Sequence, residues 1–103
     1  MSVLLEFAMF PTDKGESVSE YVSRIIKMID NGGYSYKLTP MGTVAETKTI
    51  VEALKIVEKA YQELEYDCDR VYSTVKLDIR QGKNNRLEGK VTSIEQKIGT
   101  VKK

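Results

Sequence analysis

The chain has no histidine. That removes the commonest general base and metal ligand, and with it histidine-dependent triads and most zinc hydrolase sites. It has one cysteine, Cys68, so no intrachain disulfide can form, which fits a reducing compartment. Asp67 and Asp69 flank that cysteine, and their charges disfavour a thiolate, so Cys68 reads as unreactive. An excess of one charge sign is also missing: 16 basic and 15 acidic residues leave a net charge of +1. Without a clustered positive field there is no electrostatic case for nucleic acid or an anionic membrane as partner. Long apolar runs are absent too. The opening stretch MSVLLEFAMFPTDKG has neither a basic leader nor the length of a membrane span, so a cytoplasmic location is expected.

What is present is an ordinary globular composition, 41% hydrophobic and 30% charged over 103 residues, enough for one domain spanning 1–103. A domain this small leaves much surface exposed and often gains by oligomerising.

Residues 3–10 (VLLEFAMF) read as a strand with Val3, Leu5, Phe7 and Met9 on one face and Leu4, Glu6, Ala8 and Phe10 on the other. Ser17 and Glu20 have capping-box spacing, and Val18, Tyr21, Val22, Ile25 and Ile29 follow at helical spacing until Asn31-Gly32-Gly33 ends the helix. Residues 34–39 and 43–47, joined by Pro40-Met41-Gly42, predict an antiparallel hairpin. Thr49 and Glu52 form a second capping box ahead of the stripe Ile50, Leu54, Val57, Tyr61, Leu64. Residues 71–80 alternate as a strand, with Val71, Ser73, Val75, Leu77 and Ile79 on the expected core face. Leu87, Val91, Ile94 and Ile98 mark a last amphipathic helix, weakened by Gly89 and closed by Gly99.

The order β-α-β-β-α-β-α predicts an α+β fold: a ferredoxin-like βαββαβ sandwich, a four-stranded antiparallel sheet with an added C-terminal helix. Right-handed crossovers are expected to bring strands 3–10 and 71–80 together in the centre, with both helices on one face. The other face would then show Leu4 and Phe10, an apolar surface that a second copy could cover sheet against sheet. Glu6 on that face pairs with Lys76 or meets a ligand between subunits; the pattern leaves both readings open.

Other site chemistries find little support. Glu6 and Glu46 could act as an acid and base pair, but nothing in the sequence sets their separation. Gly32-Gly33 ends a helix instead of opening one, so it cradles no phosphate. YDCDR lacks EF-hand spacing, and the strands lack the basic and aromatic pattern of an RNA-recognition sheet. A pocket for a flat polar heterocycle fits better. Phe10, Glu6, Thr74 and Lys76 share one face, and the hairpin adds Thr43 and Glu46 on alternate faces of its second strand.

The segments GESVSEYVSRII, PMGTVAET, STVKLDIRQGK and EGKVTSIEQKIG, in that order, resemble the small thiamine-binding protein family, a group long described as uncharacterised. The resemblance covers nearly the whole chain. It implies the same fold, dimers with facing sheets that often assemble into tetramers, and binding of thiamine or its hydroxymethylpyrimidine part in vitamin B1 salvage or transport. It implies no catalysis and no cofactor. With such a ligand, Glu6 or Glu46 would accept from the exocyclic amine, the Thr43 hydroxyl could serve either way, and Phe10 and Tyr36 would be platforms. Two alternatives stand beside this: a structural or regulatory homo-oligomer without a ligand, and an enzyme using Glu6 or Glu46 as base.

Overall fold

The computed structural model describes residues 1–100, and the side chains of 89–91 lie outside the described set, so the expected helix position of Val91 does too. The elements follow the expected order: β1 (Ser2–Pro11), α1 (Ser19–Asn31), β2 (Ser35–Thr39), β3 (Gly42–Thr47), α2 (Ile50–Gln62), β4 (Val71–Arg80) and α3 (Arg86–Ile98). The strands lie side by side as β2-β3-β1-β4, and each adjacent pair is antiparallel. Each of α1 and α2 therefore returns the chain past one intervening strand, which is the split βαβ arrangement of a ferredoxin-like fold.

Two expectations about this sheet are corrected. β4 does lie beside β1, but at the edge; the central strands are β1 and β3. Two skipping crossovers produce this, because each leaves one slot that the other half's strand fills. The alternation of β4 is also not a core alternation. Its register sets Val75, Leu77 and Ile79 opposite Phe7, Leu5 and Val3 on the helix side of the sheet, yet those three β4 residues are 41%, 37% and 43% exposed. Their partners on β1 are buried. At the edge, none of the described helices covers them enough to bury them.

The core is built on β1. Val3, Leu5, Phe7 and Met9 are buried against Ile25 and Ile29 of α1 and Ala53, Ile56 and Ala60 of α2. The α2 stripe is displaced from the expected one. Ile50, Leu54 and Tyr61 are each more than a third exposed, whereas Ala53, Ile56, Ala60 and Leu64 are fully buried. Ala53 and Ala60 let the helix axis approach the sheet closely, while Ile56 fills the space between them; of the expected stripe, Leu64 is buried and Val57 packs against the core. Thr49 caps α2 as expected, its hydroxyl accepting from the Glu52 amide at 3.1 Å. The capping box expected at α1 does not form. The helix starts at Ser19 after Val18, with no side-chain cap, and Glu20 instead approaches Arg24 at 3.5 Å. Arg24 reaches on to Asp67 with two hydrogen bonds of 2.9 and 3.0 Å, tying α1 to the chain beyond α2.

Thr39 and Gly42 are register partners at the hairpin tip. At Gly42 the backbone runs so close to β1 that an added Cβ would sit 2.8 Å from the Phe7 carbonyl oxygen, at φ 154°. Replacing Gly42 by alanine must push the hairpin off β1. Thermal or urea unfolding should show a loss of at least about 1 kcal/mol, and an unchanged midpoint would show that the close approach is unimportant.

Candidate functional site

The seven candidate side chains divide between the two sides of the sheet. Glu6, Phe10, Glu46, Thr74 and Lys76 lie on the side away from α1 and α2, as the register pairs Glu6 with Lys76 and Val44, Ala8 with Thr74, and Leu4 with Glu46 show. Thr43, opposite Phe7, and Tyr36, opposite Ala45, lie on the helix side. Alternation on one strand thus separates Thr43 from Glu46, as their spacing predicts.

On the far side α3 is the dominant feature. Asn85, which precedes it, sits in the left-handed region and supplies no capping side chain. Glu46 of β3 does the work from across the sheet. Its carboxylate accepts from the first two helix amides, Arg86 and Leu87, at 3.0 Å each, and from the Ser2 hydroxyl at 2.6 Å. Arg86 is buried. Its Nε donates to Ser2 Oγ at 3.1 Å and its Nη2 to the carbonyls of Ser2 and Asp78, while Nη1 pairs with Asp78 at 3.1 Å. On the same side, at the hairpin edge of the sheet, Lys37 of β2 meets Glu88 at 2.9 Å. Burial opposes the charge on Glu46, but the Ser2 hydroxyl, the two amides and the Arg86 guanidinium outweigh it and hold its pKa below the usual glutamate value. A carboxylate at a helix N-terminus is the electrostatically favoured arrangement. Glu46 therefore anchors α3, with three of its four or so acceptor positions engaged.

Sequence reasoning missed Ser2 and Arg86 in this network. No signal in the sequence pointed there: Asn84-Asn85 offers a preferred N-cap residue of its own, and it is the left-handed backbone of Asn85 that leaves its side chain out of the cap. Beyond its first turn α3 packs loosely, with Ile94 and Ile98 48% and 74% exposed.

The rest of the far side is more open and more polar than expected. Glu6 and Lys76 form an exposed ion pair at 3.7 Å, and Phe10 and Tyr72 contact at 6.0 Å between ring centroids. The bare apolar face inferred from Leu4 and Phe10 is in fact capped at the Leu4 end by α3.

A concavity of about 520 Å³ lies beside α3 on this side, lined by Asp78, Arg80, Arg86 and Ile94 among others, and a smaller, more apolar one lies at the end of the hairpin. β3 pairs with β1 only from Val3 to Phe7, whereas β4 pairs with β1 through Pro11. Past Phe7, the hairpin edge of β1 has no strand beside it among the described residues. The Pro40-Met41-Gly42 turn closes one end of this notch and α1 forms its wall. The result is a pocket of about 290 Å³ lined by Phe7, Met9, Phe10, Val22, Met41 and Thr43, among others. Phe10 and Thr43 are thus brought to one pocket, although they lie on different sides of the sheet. Glu6, Glu46, Tyr36, Thr74 and Lys76 do not line it. Tyr36 instead donates to Asp30 at 2.9 Å; that bond, together with burial, raises its pKa.

Cys68 is buried, and burial followed by the bond to Asp67 pushes its thiol pKa up, in keeping with an unreactive residue. No helix among the described residues is long and apolar enough to cross a membrane.

The chain is 36% identical over 92 residues to the UPF0045 protein MJ1052 of Methanocaldococcus jannaschii, covering 89% of this chain and 91% of that one. It is 31% identical over 96 residues to the UPF0045 protein Mb1933 of Mycobacterium bovis, covering 93% and 94%. The crystal structure of the Methanocaldococcus protein superposes with a TM-score of 0.81 at 35% identity, covering 92% of this chain and 97% of that one. A Thermotoga maritima structure, whose name proposes a role in thiamine biosynthesis or salvage, has the same fold, with a TM-score of 0.77 at 22% identity over 91% and 99% of the two chains. Residues 5–95 match the family model described as thiamine-binding protein, and the chain belongs to that family.

Proposed function

We propose that this protein is a non-catalytic cytoplasmic binder of thiamine or its hydroxymethylpyrimidine part, and that the ligand's pyrimidine occupies the notch beneath the Pro40-Met41-Gly42 turn. Family membership supports the ligand class. The observation that carries the location is the pocket itself, which is apolar on its walls and bordered by a strand edge without a strand partner among the described residues. An unpaired strand edge offers backbone donors and acceptors in a row. An aminopyrimidine needs both, because its exocyclic amine donates and its ring nitrogens accept. Phe7, Met9 and Phe10 supply the apolar surface that a flat ring requires. At about 290 Å³ the notch is at the small end of ligand sites, which suits one ring better than the whole vitamin, so the thiazolium would project outward.

Isothermal titration with thiamine and with hydroxymethylpyrimidine tests this. Both should bind. Val22→Lys, which fills the notch from α1, should weaken binding at least about tenfold. Phe10→Ala should weaken it by about two- to tenfold. Glu6→Gln, on the far side of the sheet, should leave it within about twofold. No heat with wild type at millimolar ligand would sink the ligand assignment. Binding lost in Glu6→Gln but kept in Val22→Lys would move the site to the far side.

A further inference from the structure

The notch does not end at the hairpin. A second concavity, of about 560 Å³, continues from it between α1 and β2, and Val22, Ile26 and Leu38 line both. The two form one groove. Its layout follows from the local spacing. Val22, Ile26 and Asp30 stand four residues apart on α1, in a row with about 6 Å between steps. Tyr36 and Leu38 both lie on the helix side of β2, opposite Ala45 and Thr43. The chain reverses after α1, so Leu38 lies level with the start of the row and Tyr36 with its end, where the Tyr36 hydroxyl donates to Asp30 at 2.9 Å. The groove therefore starts at the apolar notch, passes over Ile26 and Leu38, and ends at a carboxylate. Leu38 is 59% exposed, so no packing within the described residues closes this stretch. Asp30 is exposed as well. Its one side-chain hydrogen bond leaves acceptor positions open, and no cation pairs with it among the described residues.

We propose that this second half of the groove is the subsite for a flat cationic ring, and that Asp30 makes the whole vitamin bind better than its pyrimidine part. The proposal rests on the pyrimidine's place in the notch. The thiazolium of thiamine is permanently positive, and a single methylene keeps it within about one helical turn of the pyrimidine. With the pyrimidine beside Val22, the thiazolium falls on Ile26 and Leu38, one step short of Asp30. Aliphatic side chains and the Tyr36 ring suit the body of the cation, and the carboxylate suits its charge. The Tyr36 hydroxyl holds that carboxylate in place at the end of the groove. Hydroxymethylpyrimidine has no second ring and does not reach Asp30. Lys27 also lines this stretch and opposes a cation, but it is exposed and its charge is screened by water; the carboxylate lies in line with the row that carries the ring.

Isothermal titration of the full chain with thiamine and with hydroxymethylpyrimidine, at low and at high salt, tests the subsite. Wild type should bind thiamine about three- to tenfold more tightly than hydroxymethylpyrimidine at low salt. That ratio should shrink as salt rises, because an exposed charge contact is screened. Asp30→Asn should weaken thiamine about threefold and leave hydroxymethylpyrimidine within about twofold. Asp30→Lys should bring thiamine down to the affinity of hydroxymethylpyrimidine or below it. If hydroxymethylpyrimidine binds and thiamine binds no better, the subsite is overturned and the notch stands. A thiamine preference that survives Asp30→Lys overturns it in the same way. Failure of both ligands to bind wild type overturns the notch and the subsite together. Should Asp30→Lys disturb α1, Asp30→Asn, which keeps an acceptor for the Tyr36 hydroxyl, decides the matter alone.

Discussion

Replacing Glu46 by alanine detaches the first turn of α3 from the sheet, at a cost of about 2–3 kcal/mol. The carboxylate accepts three hydrogen bonds, from the Ser2 hydroxyl and the Arg86 and Leu87 amides, and bonds to a charged group are worth more than neutral ones. Its loss leaves two helix amides without that acceptor and removes a negative charge that interacts with the buried Arg86 side chain. The loss is local. Hydrogen exchange should rise along Arg86–Ile98 while β1 and β3 stay protected, and helical circular dichroism should fall by one helix's share. The pH dependence follows from the direction of the shift. Glu46 has a folded pKa below its ordinary value of 4.5, so its contribution is fully present above that value and is lost as pH falls through the folded one. α3 docking should therefore be independent of pH near neutrality and weaken progressively as pH falls below the ordinary glutamate value of 4.5. The alanine variant should lack that acid limb. Glu46→Gln keeps one acceptor oxygen and should fall between the two. An unchanged exchange pattern in the alanine variant would show that α3 is held by something else. Thiamine binding should survive the change, because Glu46 does not line the notch.

Local patterns exposed most of the fold. Alternation marked β1 and β4 at nearly their observed ends, the turn residues marked the hairpin, and the threonine cap of α2 holds as read. Hidden from the sequence was which neighbours each element finds. Val75, Leu77 and Ile79 alternate like core residues, but whether a helix lies over them depends on strand order, and β4 is an edge. Ile50, Leu54 and Tyr61 outrank Ala53 and Ala60 in hydrophobicity, yet close helix-to-sheet approach selects the small side chains. The same holds for the candidate site. Phe10 and Thr43 meet at the notch because β3 stops short of the end of β1, a length mismatch that no single-strand pattern reveals. Glu46 looked like a ligand contact because the helix amides that occupy it come from 40 and 41 residues away in the chain.

Leu5 and Leu77 make the difference between a core strand and an edge strand measurable. They are register partners on the same side of the sheet, so residue type, register and face are matched and only the strand differs. Leu5 is fully buried beneath the helices and Leu77 is 37% exposed. Leu5→Ala removes a side chain surrounded on every side and leaves a cavity that the sheet and two helices cannot collapse into; it should cost about 3 kcal/mol, within the range for buried leucines. Leu77→Ala leaves no enclosed cavity, and in dilute protein it should cost less than about 1 kcal/mol. A Leu5→Ala deficit below about 1 kcal/mol would contradict a core built on β1.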